Sequence, residues 1–122
     1  MLNLRGVIAP VVTTFGNRNE AVDLDAFATN LRAYAAAGLS GIVVCGSTGE
    51  AALLDEEERR SLIEHTCRQL PSDMLVIAGT GAESTGRGAK WSGWWPTFIT
   101  GGWTWSQGPS STIALSRSRR GR

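Results

Sequence analysis

No acidic residue occurs in positions 86–122 of this 122-residue chain, and no tryptophan occurs before Trp91. Lysine is nearly missing, with Lys90 alone against eleven arginines, and His65 is the single histidine. No apolar run approaches the ~18 residues of a membrane-spanning helix, and no basic segment leads into an apolar stretch and a small-residue cleavage site near Met1. These absences predict a soluble, cytoplasmic protein, with membrane association not expected. Zinc and haem ligand spacings are also absent, so no metal is expected, and no cofactor. The two cysteines, Cys45 in an apolar run and Cys67 on a helical pattern, have no neighbouring His/Asp/Glu cluster and read as packed free thiols rather than a disulfide. A lone histidine on a helix surface, the place the pattern gives His65, is a weak catalytic candidate.

The formal charge of +1 conceals two unlike parts. Residues 1–85 hold eleven acids and six bases, net −5, whereas residues 86–122 hold six bases and no acid, net +6. All five tryptophans fall between Trp91 and Trp105, among many Gly, Ser and Arg residues. The reading is a seam near Thr85, with one segment at 1–85 and an atypical basic tail at 86–122, disordered or loosely packed.

The first segment alternates strand and helix patterns. The apolar run from Gly6 to Val12 reads as a buried strand that ends or bulges at Pro10, which has no N–H to give to a neighbouring strand. Leu24, Phe27, Ala28, Leu31, Tyr34 and Ala35 then recur at spacings of three and four, predicting a helix capped by Asp23 and stopped at Gly38. Residues 41–45 are continuously apolar, as in a strand covered on both faces, and run into Gly46-Ser47-Thr48-Gly49-Glu50. Asp55 and Glu58 offer a capping box for a second helix whose stripe is Leu62, Ile63, Thr66, Cys67 and Leu70, with Pro71 beyond it. A third run, residues 74–78, ends in Gly79-Thr80-Gly81. Strand, helix, strand, helix, strand implies right-handed crossovers and a parallel sheet.

Ligands of parallel α/β folds sit at the C-terminal ends of the strands, where the Gly46–Gly49 stretch falls. Its glycines allow a tight turn, and the hydroxyls of Ser47 and Thr48 with nearby amides can hold a carboxylate or phosphate oxygen. A Gly/Ser turn satisfying its own backbone is the plainer alternative. Neither a phosphate-loop lysine nor a Gly-x-Gly-x-x-Gly pattern is present at this loop.

Gly41, Ile42, Val43, Gly46, Ser47, Thr48, Gly49, Glu50, Ala51 and Glu58 fill the first signature of a known family, and the stretch resembles the dihydrodipicolinate synthase and N-acetylneuraminate lyase family of class I aldolases. Residues 6–15 resemble that family's opening strand and turn, with Thr14 where proline is usual, and Val22-Asp23 precedes the first helix as in the family. Residues 77–85 resemble its third strand and loop, and Glu83 there is reminiscent of the 4-hydroxy-2-oxoglutarate aldolase-like branch. The resemblance implies an α/β fold corresponding to the N-terminal part of a (β/α)8 TIM barrel, with about three strands and two to three helices. It implies pyruvate or a related 2-keto acid as ligand, Ser47 and Thr48 on its carboxylate, and Thr48 or its neighbour in a proton relay. By the same resemblance Gly46, Gly49 and Glu50 shape the loop.

Family chemistry also needs a Schiff-base lysine on the sixth strand and a relay tyrosine near the end of the fifth. Lys90 and Tyr34, the chain's only lysine and tyrosine, match neither. The expectation is a pyruvate-dependent aldolase/lyase relationship without a complete catalytic set, and hence an inactive chain; the alternative is a small non-enzymatic α/β module that binds a keto-acid carboxylate or a partner protein. Open barrel edges predict self-association or aggregation. Residues 112–117 resemble a displaced piece of the family's third helix, as though residues 86–111 were an insertion or a change of reading frame. The terminal arginines are segregated from the tryptophans, so nucleic-acid binding is not expected.

Overall fold

The first strand, β1 (Ile8–Pro10), pairs Pro10 with Val43 on the edge of the sheet, and the following N–H, of Val11, still donates to Val43 O at 2.9 Å, so the missing N–H of Pro10 costs no pairing bond. This computed structural model describes residues 5–79 together with the backbone of two later strands, β4 (Trp103–Gln107) and β5 (Thr112–Arg117). Helix α1 (Leu24–Ala36) begins where the Asp23 carboxylate accepts the Ala26 N–H at 3.0 Å. It ends before Gly38, whose φ of +76° suits a residue without a Cβ. Strand β2 (Gly41–Val44) follows, then a short 3-10 turn (Ala51–Leu53), α2 (Glu56–Gln69) and β3 (Leu75–Gly79). The capping box of α2 is complete: Glu58 N donates to Asp55 Oδ1 at 2.8 Å, and Asp55 N donates to Glu58 Oε2 at 3.0 Å.

Strands β1, β2 and β3 pair in parallel, with Ile42 opposite Val76 and Val44 opposite Ala78. Those four residues are buried with Phe27 and Leu31 of α1 and Leu62, Ile63 and Cys67 of α2 in one apolar cluster. Tyr34 and Ala35 pack against its border. Both helical stripes expected from the spacing are the buried ones, since an amphipathic helix gains stability chiefly by removing one face from water. The opposite face of the sheet, carrying the paired residues Val43 and Ile77, is half-buried.

Two expectations change in the tail. Residues 112–117 form strand β5 rather than a helix piece, and β5 pairs antiparallel with β3, from Val76 opposite Leu115 to Gly79 opposite Thr112. Six residues are too few to sustain an isolated helix, while the edge of β3 offers a row of N–H and C=O groups that only a strand can satisfy. Strand β4 then pairs antiparallel with β5, and the sheet order is β1-β2-β3-β5-β4. The edge of β3 is therefore covered, not open as an unclosed three-stranded barrel segment would leave it. The seam near Thr85 and the rest of the tail lie outside the described residues, as do Glu83 and Lys90.

Candidate functional site

Beyond Val44 the chain must leave the sheet sharply, because the end of β3 stands beside it. Cys45 makes the turn in the left-handed region, at φ 56°, and Glu50 closes the loop in the same region, at φ 55°. A non-glycine residue with such a φ costs about 1 kcal/mol or more and persists only where its surroundings hold it. Between them Gly49 N donates to Gly46 O at 3.1 Å, Glu50 N to Ser47 O at 3.0 Å and Ala51 N to Gly46 O at 3.3 Å. The loop thus satisfies part of its own backbone. Ser47 and Thr48 are exposed at the C-terminal end of β2, and among the described residues their amides and hydroxyls make no hydrogen bond. Gly49 is buried, and its carbonyl accepts the Thr13 hydroxyl at 2.6 Å. Glu50 is exposed, in the left-handed region, and its side chain makes no cap to the turn that follows.

Two residues of this site escaped sequence reasoning. Thr13 is buried after β1 and ties that loop to Gly49. Arg59 is 8% exposed, and its guanidinium donates from Nε to Leu54 O at 3.3 Å and from Nη2 to Ala51 O at 2.5 Å. A signal for it existed: Arg59 precedes Leu62 and Ile63 by three and four residues and therefore lies on the apolar stripe of α2.

The cysteines are free and buried, as expected. Burial pushes the Cys45 thiol up to about 12, against a smaller opposing pull from Arg59. Burial, with Glu64 adding to it, pushes Cys67 up to about 12 as well. Neither is a thiolate nucleophile at neutral pH. The unfolded chain loses both thiol protons near pH 9 while the folded chain keeps them, so the native state binds more protons in between. Stability is expected to be full below about pH 9 and to fall as pH rises toward about 12, over the interval between the two states' thiol values. Urea midpoints at pH 8 and pH 10.5 check this, and Cys45→Ala/Cys67→Ala should flatten the difference.

Tyr34 lies in the last turn of α1, which runs back from the C-terminal end of β1 toward the start of β2. That position is at the opposite end of the sheet from Ser47 and Thr48. His65 is half-buried rather than on the surface, with Nε2 shielded from water and unpartnered among the described residues. No three His, Cys, Asp or Glu side chains converge as metal ligands among the described residues.

Residues 3–94 match the dihydrodipicolinate synthetase family. The chain belongs to this family. The 4-hydroxy-tetrahydrodipicolinate synthase of Sorangium cellulosum is 42% identical over 84 residues, which cover 69% of this chain and 28% of the relative. The dihydrodipicolinate synthase of Acinetobacter baumannii, solved with pyruvate, superposes with a TM-score of 0.62 at 32% identity, over 68% of this chain and 28% of that one. A sialic acid aldolase from Ruminococcus gnavus, 19% identical with a TM-score of 0.58 over 66% of this chain and 27% of that one, shares the fold. The chain spans under a third of the length of these relatives. Its three parallel strands and two helices are the N-terminal part of the dihydrodipicolinate synthase barrel, and the loop at the end of β2 lies where that architecture places its ligands. No described helix is long and apolar enough to cross a membrane.

Proposed function

We propose that the loop after β2 binds the carboxylate of pyruvate or a related 2-keto acid through Ser47 and Thr48, in the cytoplasm, without the chain itself carrying out Schiff-base chemistry. The observation behind this reading is the exposure of both residues, whose hydroxyls and amides make no hydrogen bond among the described residues, on a loop that ties the Gly49, Glu50 and Ala51 amides to its own carbonyls. Support comes from the family membership and from the pyruvate bound in the Acinetobacter relative. By the family resemblance, Thr48 or its neighbour would also join a proton relay.

The reaction of a class I aldolase begins when a neutral lysine amine attacks the ketone carbon and water leaves. The resulting iminium then takes up the electron pair of the neighbouring C–C bond. That requires a lysine held in a desolvated strand position and a proton donor near the carbinol oxygen. The only lysine is Lys90, in a Gly- and Trp-rich stretch, and the only tyrosine is Tyr34, at the far end of the sheet. Among the described residues, binding in this reading rests on the loop. A charged hydrogen bond contributes about 1.5–3 kcal/mol, so two of them give about 3–6 kcal/mol, a Kd between tens of micromolar and several millimolar.

In a 15N-resolved titration, ~10 mM pyruvate is expected to shift the Ser47 and Thr48 amides; a flat titration sinks the reading. Borohydride added with pyruvate should leave the intact mass unchanged, and a stable adduct at Lys90 would disprove the inactive assignment.

A second reading is a non-enzymatic module that docks a partner protein or a second copy of itself. It draws on the half-buried Val43 and Ile77 on the sheet face away from the helices. In it residues 1–85 form the barrel-like unit and 86–122 a basic tail that adds β5 and β4 to the same sheet. Size-exclusion elution at the monomer volume over a hundredfold concentration range would remove the self-association version.

A further inference from the structure

We propose that Arg59 is the positioning residue of the carboxylate loop, holding both of its flanks from a single point on α2; this rests on the reading of Ser47 and Thr48 as the anion site. The loop is bracketed by two left-handed non-glycine residues, Cys45 at φ 56° and Glu50 at φ 55°. Neither residue type favours that conformation, so something outside the loop must hold it. Thr13 meets the loop at one point only, the Gly49 carbonyl just before Glu50.

Arg59 meets both ends, through its side chain downstream and its main chain upstream. On the downstream side its guanidinium donates to the carbonyls of Ala51 and Leu54, the two ends of the turn that follows Glu50. On the upstream side its own carbonyl accepts the Cys45 thiol at 3.9 Å. Arg59 is in turn fixed, because its N–H donates to Asp55 O at 3.1 Å within the first turn of α2, the turn closed by the capping box. A planar guanidinium presents several N–H donors in fixed directions, so it can hold two carbonyls at once where a shorter or apolar side chain holds none. A buried cation also leaves its acceptors costly to lose, which makes the arrangement stiff. The result is a loop whose Ser47 and Thr48 are presented in one conformation before any ligand arrives, and a pre-ordered loop spends less of its contact energy on ordering.

The test compares wild type, Arg59→Met and Arg59→Lys in two measurements. Amide hydrogen exchange follows Gly49, Glu50 and Ala51 against the α1 amides of Leu31 and Arg32, and pyruvate titration follows the Ser47 and Thr48 amides. The proposal expects Arg59→Met to speed exchange of the loop amides about tenfold more than that of the α1 amides and to weaken pyruvate binding about tenfold, with Arg59→Lys recovering part of both. Equal acceleration of loop and helix means that Arg59 supports only global stability, and overturns it. Loop-selective exchange with unchanged pyruvate affinity overturns it as well. If Arg59→Met does not fold, Arg59→Lys alone decides: a selective loop effect supports the proposal and a wild-type loop refutes it. Should the wild type show no pyruvate shifts, the carboxylate reading falls by itself, and the exchange ratio still decides whether Arg59 orders the loop.

Discussion

Replacing Gly79 with alanine is expected to lower stability by about 2–3 kcal/mol and to displace the loop that carries Ser47 and Thr48. Gly79 is the last residue of β3, and a Cβ there would stand 2.1 Å from the Cys45 carbonyl oxygen and 2.9 Å from its carbon. Both atoms are backbone, so no side chain can swing aside. Relief requires moving Cys45, which already sits at φ 56° and leads directly into the loop. Gly46→Ala is the matched control, since its Cβ meets Val43 Cγ1 at an ordinary 3.4 Å. Urea midpoints should fall sharply for Gly79→Ala and change by less than about 1 kcal/mol for Gly46→Ala, whose cost is the ordinary one for a surface loop. Equal midpoints for the two would show that β3 and the loop do not meet as described.

The second large effect is expected at Phe27, on the inner face of α1. It is 1% exposed and packs in the cluster that joins both helices to β2 and β3. Phe27→Ala removes its transfer energy and leaves a cavity, together about 3–5 kcal/mol. Against a total stability of about 5–15 kcal/mol for a typical domain, that removes a fifth of the margin or more. Phe27→Leu, which keeps most of the volume, should cost about 1–2 kcal/mol. Far-ultraviolet circular dichroism across a urea series checks both, and a loss below 1 kcal/mol for Phe27→Ala would mean that α1 does not close the core.

The elements that could be read from residues alone are those encoded by near neighbours. Asp23 and the Asp55–Glu58 pair start their helices because a cap needs only a carboxylate within three residues of free N–H groups. Leu62, Ile63, Thr66 and Cys67 are buried because helical geometry alone puts them on one face. Pro10 lies at the end of the edge strand β1, a position open to a residue without an N–H. The placement of Ser47 and Thr48 at the end of a strand followed from the same local signals, sharpened by the family signature around them.

Arg59 and Thr13 were not legible in that way. A polar side chain on an apolar stripe is assigned to solvent until its acceptors, here carbonyls five and eight residues away, are folded back over it. The partner of Thr13 is 36 residues distant in the chain. Residues 112–117 show the same limit: their strand state comes from the edge of β3, which no window of the tail contains. The sequence by itself determined the helices, the strand order through β3, and the chemistry available at the loop, since periodicity, caps and residue type act over a few residues. Only the tertiary structure decided what holds that loop in its left-handed bends and what covers β3, because hydrogen bonds between distant segments exist only once the chain has brought them within about 3 Å of each other.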